Sequence, residues 1–300
     1  MSPKPSPIPP AQFSRRTIVN ATLEATRQQH TEETQSKPRL YDFAEGWGSI
    51  YGRYVRNNLC RTLVSKYGLR SVLEAPCNAE SYFSSPGTQS VVFAEEGCSV
   101  TLVHPDQEVV DKTRDFWSAL GRGDTPVLHH TDLYHMPFED NTFDLVWNFD
   151  SIPLFSHPAR FLAEMERVSR QLVMVILPNP RNVGYPVHRL LMKMQGTKSV
   201  WGSPRWMESR RVRKVLEGMG MEVISTGLVD MPPWPGFDVL HTLGKALRHN
   251  TVEANDDTRT DEEVEHMLRR LTFIEYAPVP GLLKTPFSHQ RYLIARKWHI

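Results

Sequence analysis

Apolar residues recur along this chain in two rhythms. Between Tyr41 and Tyr67, Trp47, Ile50, Tyr51, Tyr54, Val55, Leu59 and Leu63 return at steps of three and four, one face of a helix, and Gly68 is placed to stop it. Short continuous apolar runs follow at residues 72–75, 100–103, 127–129 and 143–147, each ending in polar or acidic residues. Helical spacing fills the gaps. Ser85-Pro86-Gly87 opens a helix that Gly97 closes, and residues 108–120 carry Val109, Val110, Thr113, Phe116 and Leu120 on one side, with Gly121 as the stop. Ser156 is placed to cap a helix that turns Phe161, Leu162, Met165 and Val168 inward. Residues 171–177 form a fifth strand rich in β-branched residues, apolar on both sides, as a strand covered by helices on both faces must be.

Beyond that strand the pattern loosens. Residues 180–202 read as an irregular or short helical excursion. Ser203-Pro204 then starts a helix to about residue 217, ended by Gly218 and Gly220. Its Arg205, Arg210, Arg211, Arg213 and Lys214 form a basic face, which solvent suffices to explain. Residues 221–230 give a sixth strand and 292–296 a seventh. The stretch between them is too long for a plain connection. It holds a stiff Met231-Pro232-Pro233-Trp234-Pro235-Gly236 segment and an acidic helix from Asp261, with Thr260 and Glu263 as a capping box and Val264, Met267, Leu268 and Leu271 as its stripe. The divisions expected are an arm at 1–40, a core at 41–230, an insertion at 231–285 and a returning strand at 286–300. The arm opens with five prolines, Pro3, Pro5, Pro7, Pro9 and Pro10, and reads as extended.

Composition narrows the class. With 40% apolar residues in 300, the chain can bury one large core. A formal charge of +1 argues against general nucleic-acid binding. Cys60, Cys77 and Cys98 are odd in number and far apart, so no disulfide framework is expected and a cytoplasmic setting suits them. No apolar run is long enough for a membrane span, and the N-terminus has no secretory signal. His129, His130 and His135 lie close in sequence, but alternation on a strand sends the first two to opposite faces, and no metal is expected.

Two stretches carry chemistry. Glu74-Ala75-Pro76-Cys77-Asn78-Ala79-Glu80 follows the first apolar run, and Met136-Pro137-Phe138-Glu139-Asp140-Asn141-Thr142-Phe143-Asp144 leads into the fourth. Together they resemble the class I S-adenosylmethionine-dependent methyltransferases, in the branch whose fourth strand is announced by Pro-Phe-x-Asp-x-x-Phe-Asp. The likeness covers roughly residues 41–179. It implies a Rossmann-like α/β fold: seven strands, mostly parallel, helices on both faces, and one antiparallel strand near the edge. It also implies S-adenosylmethionine as cofactor, bound at the carboxyl ends of the strands.

Position by position, the resemblance implies that Glu74, Pro76 and Asn78 line the methionine end of the cofactor. Asn78 and Glu80 stand where the family has its second and third glycines. His104 occupies the usual ribose carboxylate position, and Asp106 is the other residue that reaches it. Asp132, with Leu133 beside it, meets the adenine. Asn148 and Asp150 face the transferred methyl, Asn148 also touching the cofactor and Asp150 able to act as a general base. The expected activity is methyl transfer to an unidentified small or medium-sized acceptor, with a protein partner also possible. The rival is a methyltransferase-like protein that binds or assembles without catalysis, suggested by the bulk and charge of Glu80. A nicotinamide-dependent oxidoreductase is disfavoured, because its glycine fingerprint is missing.

Overall fold

The computed structural model describes residues 41, 47–78, 85–194, 202–232 and 259–298. The expected arm, Glu80 and the central part of the expected insertion lie outside the described residues. Helix α1 (Trp47–Tyr67) leads into β1 (Ser71–Glu74). A single 3-10 turn, Thr88–Ser90, runs into the short α2 (Val91–Glu95), followed by β2 (Ser99–His104), α3 (Gln107–Ala119) and β3 (Val127–His129). The other half comprises β4 (Phe143–Phe149), α4 (Pro158–Val168), β5 (Ser169–Pro178), α5 (Gly184–Met194), α6 (Ser209–Gly218) and β6 (Met221–Val229). Last come α7 (Asp261–Leu271), α8 (Phe273–Tyr276), α9 (Gly281–Lys284) and β7 (Gln290–Lys297).

The seven strands form one sheet in the order β3-β2-β1-β4-β5-β7-β6. Pairing is parallel from β3 to β5, and β7 runs antiparallel between β5 and β6. The strand order reverses between β1 and β4, where Glu74 lies in register with Trp147. This reversal opens a crevice at the carboxyl ends, the general ligand position of such sheets.

Strand alternation divides the core in two. On β5, Leu172, Met174 and Ile176 join the cluster under α1, α2 and α3, while Val173, Val175 and Leu177 join the cluster under α4 and α6. Helix α7 docks on the first side. Val264 and Leu268 are fully buried there, and Glu265 accepts from the Tyr41 hydroxyl at 2.9 Å and from Arg61 at 3.1 Å. Its N-terminus is closed by the capping box, with Glu263 N–H donating to Thr260 Oγ1 at 3.3 Å and Thr260 N–H donating to Glu263 Oε2 at 2.7 Å.

Three local expectations are corrected. Ser156 does not cap α4: His157 holds that position with Pro158 in the first turn, and the Ser156 hydroxyl pairs with the Tyr134 hydroxyl at 2.9 Å. The helix expected from Ser203 is broken into a 3-10 turn, Pro204–Trp206, and α6. Ser203 N–H donates to Pro153 O at 2.8 Å, and Gly202 sits so close to that carbonyl that a Cβ would lie 2.2 Å from it. The segment is therefore held against the Ile152–Leu154 turn before α6 begins. The helix expected from Ser85 starts only after Gly87, which is left-handed at φ 75°.

The burial of α7 against α1 is testable. Leu268→Ala should lower stability by about 2–5 kcal/mol, as for other fully buried leucines, read as a lower midpoint in urea unfolding. A change within about 0.5 kcal/mol would mean that α7 is not docked.

Candidate functional site

The crevice between β1 and β4 is floored by Glu74. Its side chain is fully buried at the end of β1, where the Ser90 hydroxyl donates to Oε2 at 2.5 Å and the Asn78 backbone N–H adds a second bond. Ser90 in turn accepts from the Trp147 indole N–H at 3.0 Å, and Trp147 packs edge-on to Phe93 with ring centroids 5.5 Å apart. The other oxygen, Oε1, is buried with no hydrogen-bond partner among the described residues. Burial pushes the Glu74 carboxyl up to about 8, against the opposing effect of its two hydrogen bonds.

The turn after β1 is pinned at both ends. Pro76 is buried, and Cys77 N–H donates to Val103 O at 2.9 Å. Gly87 N–H then donates to Asn78 O at 3.4 Å, which brings Gly87 back to the end of the turn. Gly87 is left-handed, and a Cβ there would come within 2.9–3.1 Å of Thr113, Leu102 and the Trp117 indole nitrogen. Only glycine fits both constraints. Simple sequence steps from Glu74 do not reach this residue, because it lies well past the motif that follows Glu74. Its signal was the Pro-Gly-Thr run just ahead of an apolar helical stretch.

His104, at the end of β2, faces the same turn. Asp106 N–H donates to its Nδ1 at 3.0 Å, which leaves the proton on Nε2, 3.3 Å from Asn78 Oδ1. Desolvation lowers its pKa and keeps the ring neutral. Asp106 caps α3, its Oδ1 accepting from Glu108 N–H at 2.9 Å. The structure thus brings Glu74, Asn78 and His104 together around one turn, with Asp106 exposed beside them.

Asp132 lies on the surface after β3. Its Oδ1 accepts from Tyr134 N–H at 2.9 Å and its Oδ2 pairs with His135 Nδ1 at 2.9 Å. The His135 bond leads in holding this carboxyl below its ordinary range. The side chain therefore shapes its own loop, with about half of its surface open to solvent. Leu133 turns inward to the cluster under α4. The neighbouring histidines meet backbone carbonyls, His129 reaching Pro105 O at 3.1 Å and His130 reaching His135 O at 2.7 Å.

At the end of β4 the two expected residues part. Asn148 is fully buried, its amide donating to Ala75 O at 2.8 Å and to Ser151 Oγ at 2.5 Å, while Oδ1 accepts from Ser151 N–H at 3.3 Å. It is a strut between β1 and the loop after β4. Alternation explains this: Trp147 and Phe149 face α1, and Asn148 is one residue out of phase. Asp150 is half-buried and left-handed at φ 52°, its N–H donating to Ile176 O at 3.0 Å.

Asp150 also belongs to a polar network that the apolar pattern hid. Its Oδ2 accepts from Gln290 Nε2 at 2.6 Å, Gln290 Oε1 accepts from Arg56 Nη1 at 3.0 Å, and Arg56 Nε donates to Gln89 at 3.2 Å. The Arg56 guanidinium sits 4.8 Å over the Phe149 ring. Arg53, Arg56 and Asn57 are all buried, so α1 is covered on its polar side as well. Their three- and four-residue spacing was the available signal.

Residues 84–177 match a family model described as a methyltransferase domain, so the match begins just ahead of Gly87. No curated protein matches the chain. Among solved structures, the chain is similar to magnesium protoporphyrin IX methyltransferase (ChlM) from Synechocystis PCC 6803 with bound SAH. The identity is 14%, the TM-score 0.51, and the match covers 94% of this chain and 99% of that one. It is also similar to MccD protein, at 15% identity and a TM-score of 0.51, over 81% of this chain and 96% of that one. At such identities the likeness is one of fold.

Two outcomes follow from the turn and the buried carboxyl. Gly87→Ala should cost at least about 1–2 kcal/mol for the left-handed backbone alone, with further loss from contact with Thr113 and Trp117, read by thermal or urea unfolding. For Glu74, the folded pKa of about 8 stands above an unfolded value of about 4.3. The folded state is therefore penalised progressively as pH rises between the two values, and the penalty levels off above the higher one. Glu74→Gln should raise the melting temperature relative to the parent by a margin that widens from pH ~5 to pH ~8. A constant margin would show that Glu74 is ionised throughout.

Proposed function

We propose that this chain, whose residues 84–177 match a methyltransferase-domain model, transfers a methyl group from S-adenosylmethionine to a small or medium-sized acceptor. The observation that carries the reading is the buried Glu74 Oε1, without a hydrogen-bond partner among the described residues, at the sheet's reversal point and beside a turn that only glycine can close. The amino group of the cofactor's methionine end is a cationic donor of the kind this oxygen lacks, and its charge would favour the ionised carboxylate. A neighbour of the same fold holds SAH, which supports the same cofactor class.

The residues then take these roles. Glu74 receives the ammonium, and the backbone from Pro76 to Asn78, closed by Gly87, lets the methionine end approach the chain. His104 holds Asn78 in place and offers its neutral ring toward the ribose side, with Asp106 next to it. Asp132 and the Leu133 backbone border the adenine, Asp132 through the part of its carboxylate that solvent reaches. Asn148 acts by fixing the distance between the β1 and β4 loops, and Asp150 stands at the acceptor side as the candidate base. When bound, S-adenosylmethionine supplies a methyl already activated by its sulfonium, so the protein's task is to align the acceptor and exclude water.

We read residues 231–285 as a cover over the acceptor side. In support, Met231 N–H donates to Glu275 at 2.5 Å, Lys284 Nζ donates to Glu275 O at 2.7 Å, and Asn179 donates to Thr285 O and Ser288 O, each at 2.7 Å. These bonds tie both ends of the segment to the carboxyl edge. Among the described residues no helix is long and apolar enough to cross a membrane. The three buried thiols fit a reducing compartment such as the cytoplasm.

Calorimetric titration tests the reading. S-adenosylmethionine and S-adenosylhomocysteine should both bind with micromolar affinity, and Glu74→Gln should weaken them about tenfold or more. Near neutral pH the binding heat should vary with the ionisation enthalpy of the buffer, because the ligand's ammonium draws a proton off Glu74. That dependence should vanish in the Gln variant. An absence of heat at millimolar ligand would rule the cofactor out.

A further inference from the structure

Helix α5 leaves the body of the protein at the carboxyl edge and shows an apolar stripe to solvent. Val183 just before it, then Val187, Leu190 and Met194, fall within roughly 60° of arc at 3.6 residues per turn. They are 63%, 40%, 59% and 75% exposed. Val183 N–H donates to Pro286 O at 2.9 Å, which sets the start of the helix against α9 and the segment after it. There Leu282, Leu283 and Phe287 are 82%, 61% and 61% exposed. Two separate pieces of chain thus contribute large apolar side chains to one neighbourhood, more than scattered surface residues account for.

The charges on the helix itself have one sign. Arg189 and Lys193 are exposed roughly a quarter to a third of a turn round from the stripe, and Arg181 lies just before the helix. Lys284 stands beside Leu283. From 181 to 207 and from 277 to 289 the sequence contains no Asp or Glu. The nearest acidic partner, Glu208, is only 3.5 Å from Arg181 in a pair on the surface. Apolar side chains centred on a helix, with long cations flanking them and no acidic residue among them, suit an interface of hydrocarbon below and phosphate above.

We propose that α5, with the segment from Leu282 to Phe287, docks on the surface of an anionic lipid bilayer. The apolar stripe enters the boundary between headgroups and acyl chains, and Arg189 and Lys193 lie at the level of the lipid phosphates. Charge complementarity selects this occupant: a purely apolar partner would leave those cations unused, and a neutral bilayer would not reward them. The inference stands apart from methyl transfer and does not require it.

Sedimentation of the full-length protein with lipid vesicles tests it. Binding is expected to mixed phosphatidylcholine–phosphatidylglycerol vesicles, weak binding to phosphatidylcholine alone, and loss of binding with rising salt. Leu190→Glu combined with Met194→Glu should reduce the partition about tenfold or more. Arg189→Gln and Lys193→Gln should each reduce it about fivefold. All of these side chains are exposed, so the variants should keep the parent's circular dichroism and melting temperature. Leu282→Glu with Leu283→Glu gives an independent second variant, expected to behave alike. No binding to the anionic vesicles overturns the proposal, as does binding that the variants leave unchanged. A dimer in sedimentation velocity that Leu190→Glu dissolves, with no vesicle binding, assigns the face to a second copy instead.

Discussion

A carboxyl group with no access to water ends β1, and the geometry of the edge follows from holding it there. An isolated carboxylate in such a place is costly, so the surroundings either donate to it or keep it protonated. The Ser90 hydroxyl and the Asn78 N–H do the first. Ser90 can do so only if the 3-10 turn that carries it returns to the end of β1, and that return depends on Gly87 closing onto Asn78. Trp147 then fixes Ser90 from β4, so the strand on the far side of the crevice is bound into the same set of contacts. The low polarity around Glu74 also shows in the thiol of Cys60, which burial pushes up to about 12.

The fold was legible because it rests on period. Every strand and most helices came from runs of two-sided apolar residues, alternate faces and three- or four-residue steps, and the sheet assigns those faces to two clusters as the pattern required. Boundaries failed where a tertiary contact overrode a local signal. Ser203-Pro204 is a good helix opening, yet the Pro153 carbonyl captures the Ser203 N–H and delays the helix by a turn. Ser156 is a good cap, yet Tyr134 takes its hydroxyl.

The site was less legible, for a different reason. Glu74 and His104 end β1 and β2, which sequence reveals, and Asn78 meets His104 in the turn that follows. Gly87 was hidden because its distance along the chain from Glu74 follows no periodic rule. Asn148 lies within β4 and bonds Ala75 O and Ser151, because a single register step decides which side of the sheet a side chain meets. Arg56, Gln89 and Gln290 come from three distant elements and meet only in the folded chain.

The acceptor side and the apolar face of α5 are linked through one strand end. Asp150 N–H bonds to Ile176 O, β5 ends at Pro178, and Asn179 then ties that end to Thr285 and Ser288. Asn182 donates to Ser288 O at 3.1 Å and caps the first turn of α5 by accepting from Gly184 N–H at 2.7 Å. A handful of hydrogen bonds thus connects the candidate base to the exposed stripe. Every β5 residue from Leu172 to Pro178 is buried, and a close-packed interior transmits strain rather than absorbing it, so a load on α5 would reach the loop that carries Asp150. Docking that helix would therefore orient the acceptor edge toward whatever surface the helix rests on. It would also hold steady the Asn179 and Ser288 contacts that close the end of the inserted segment.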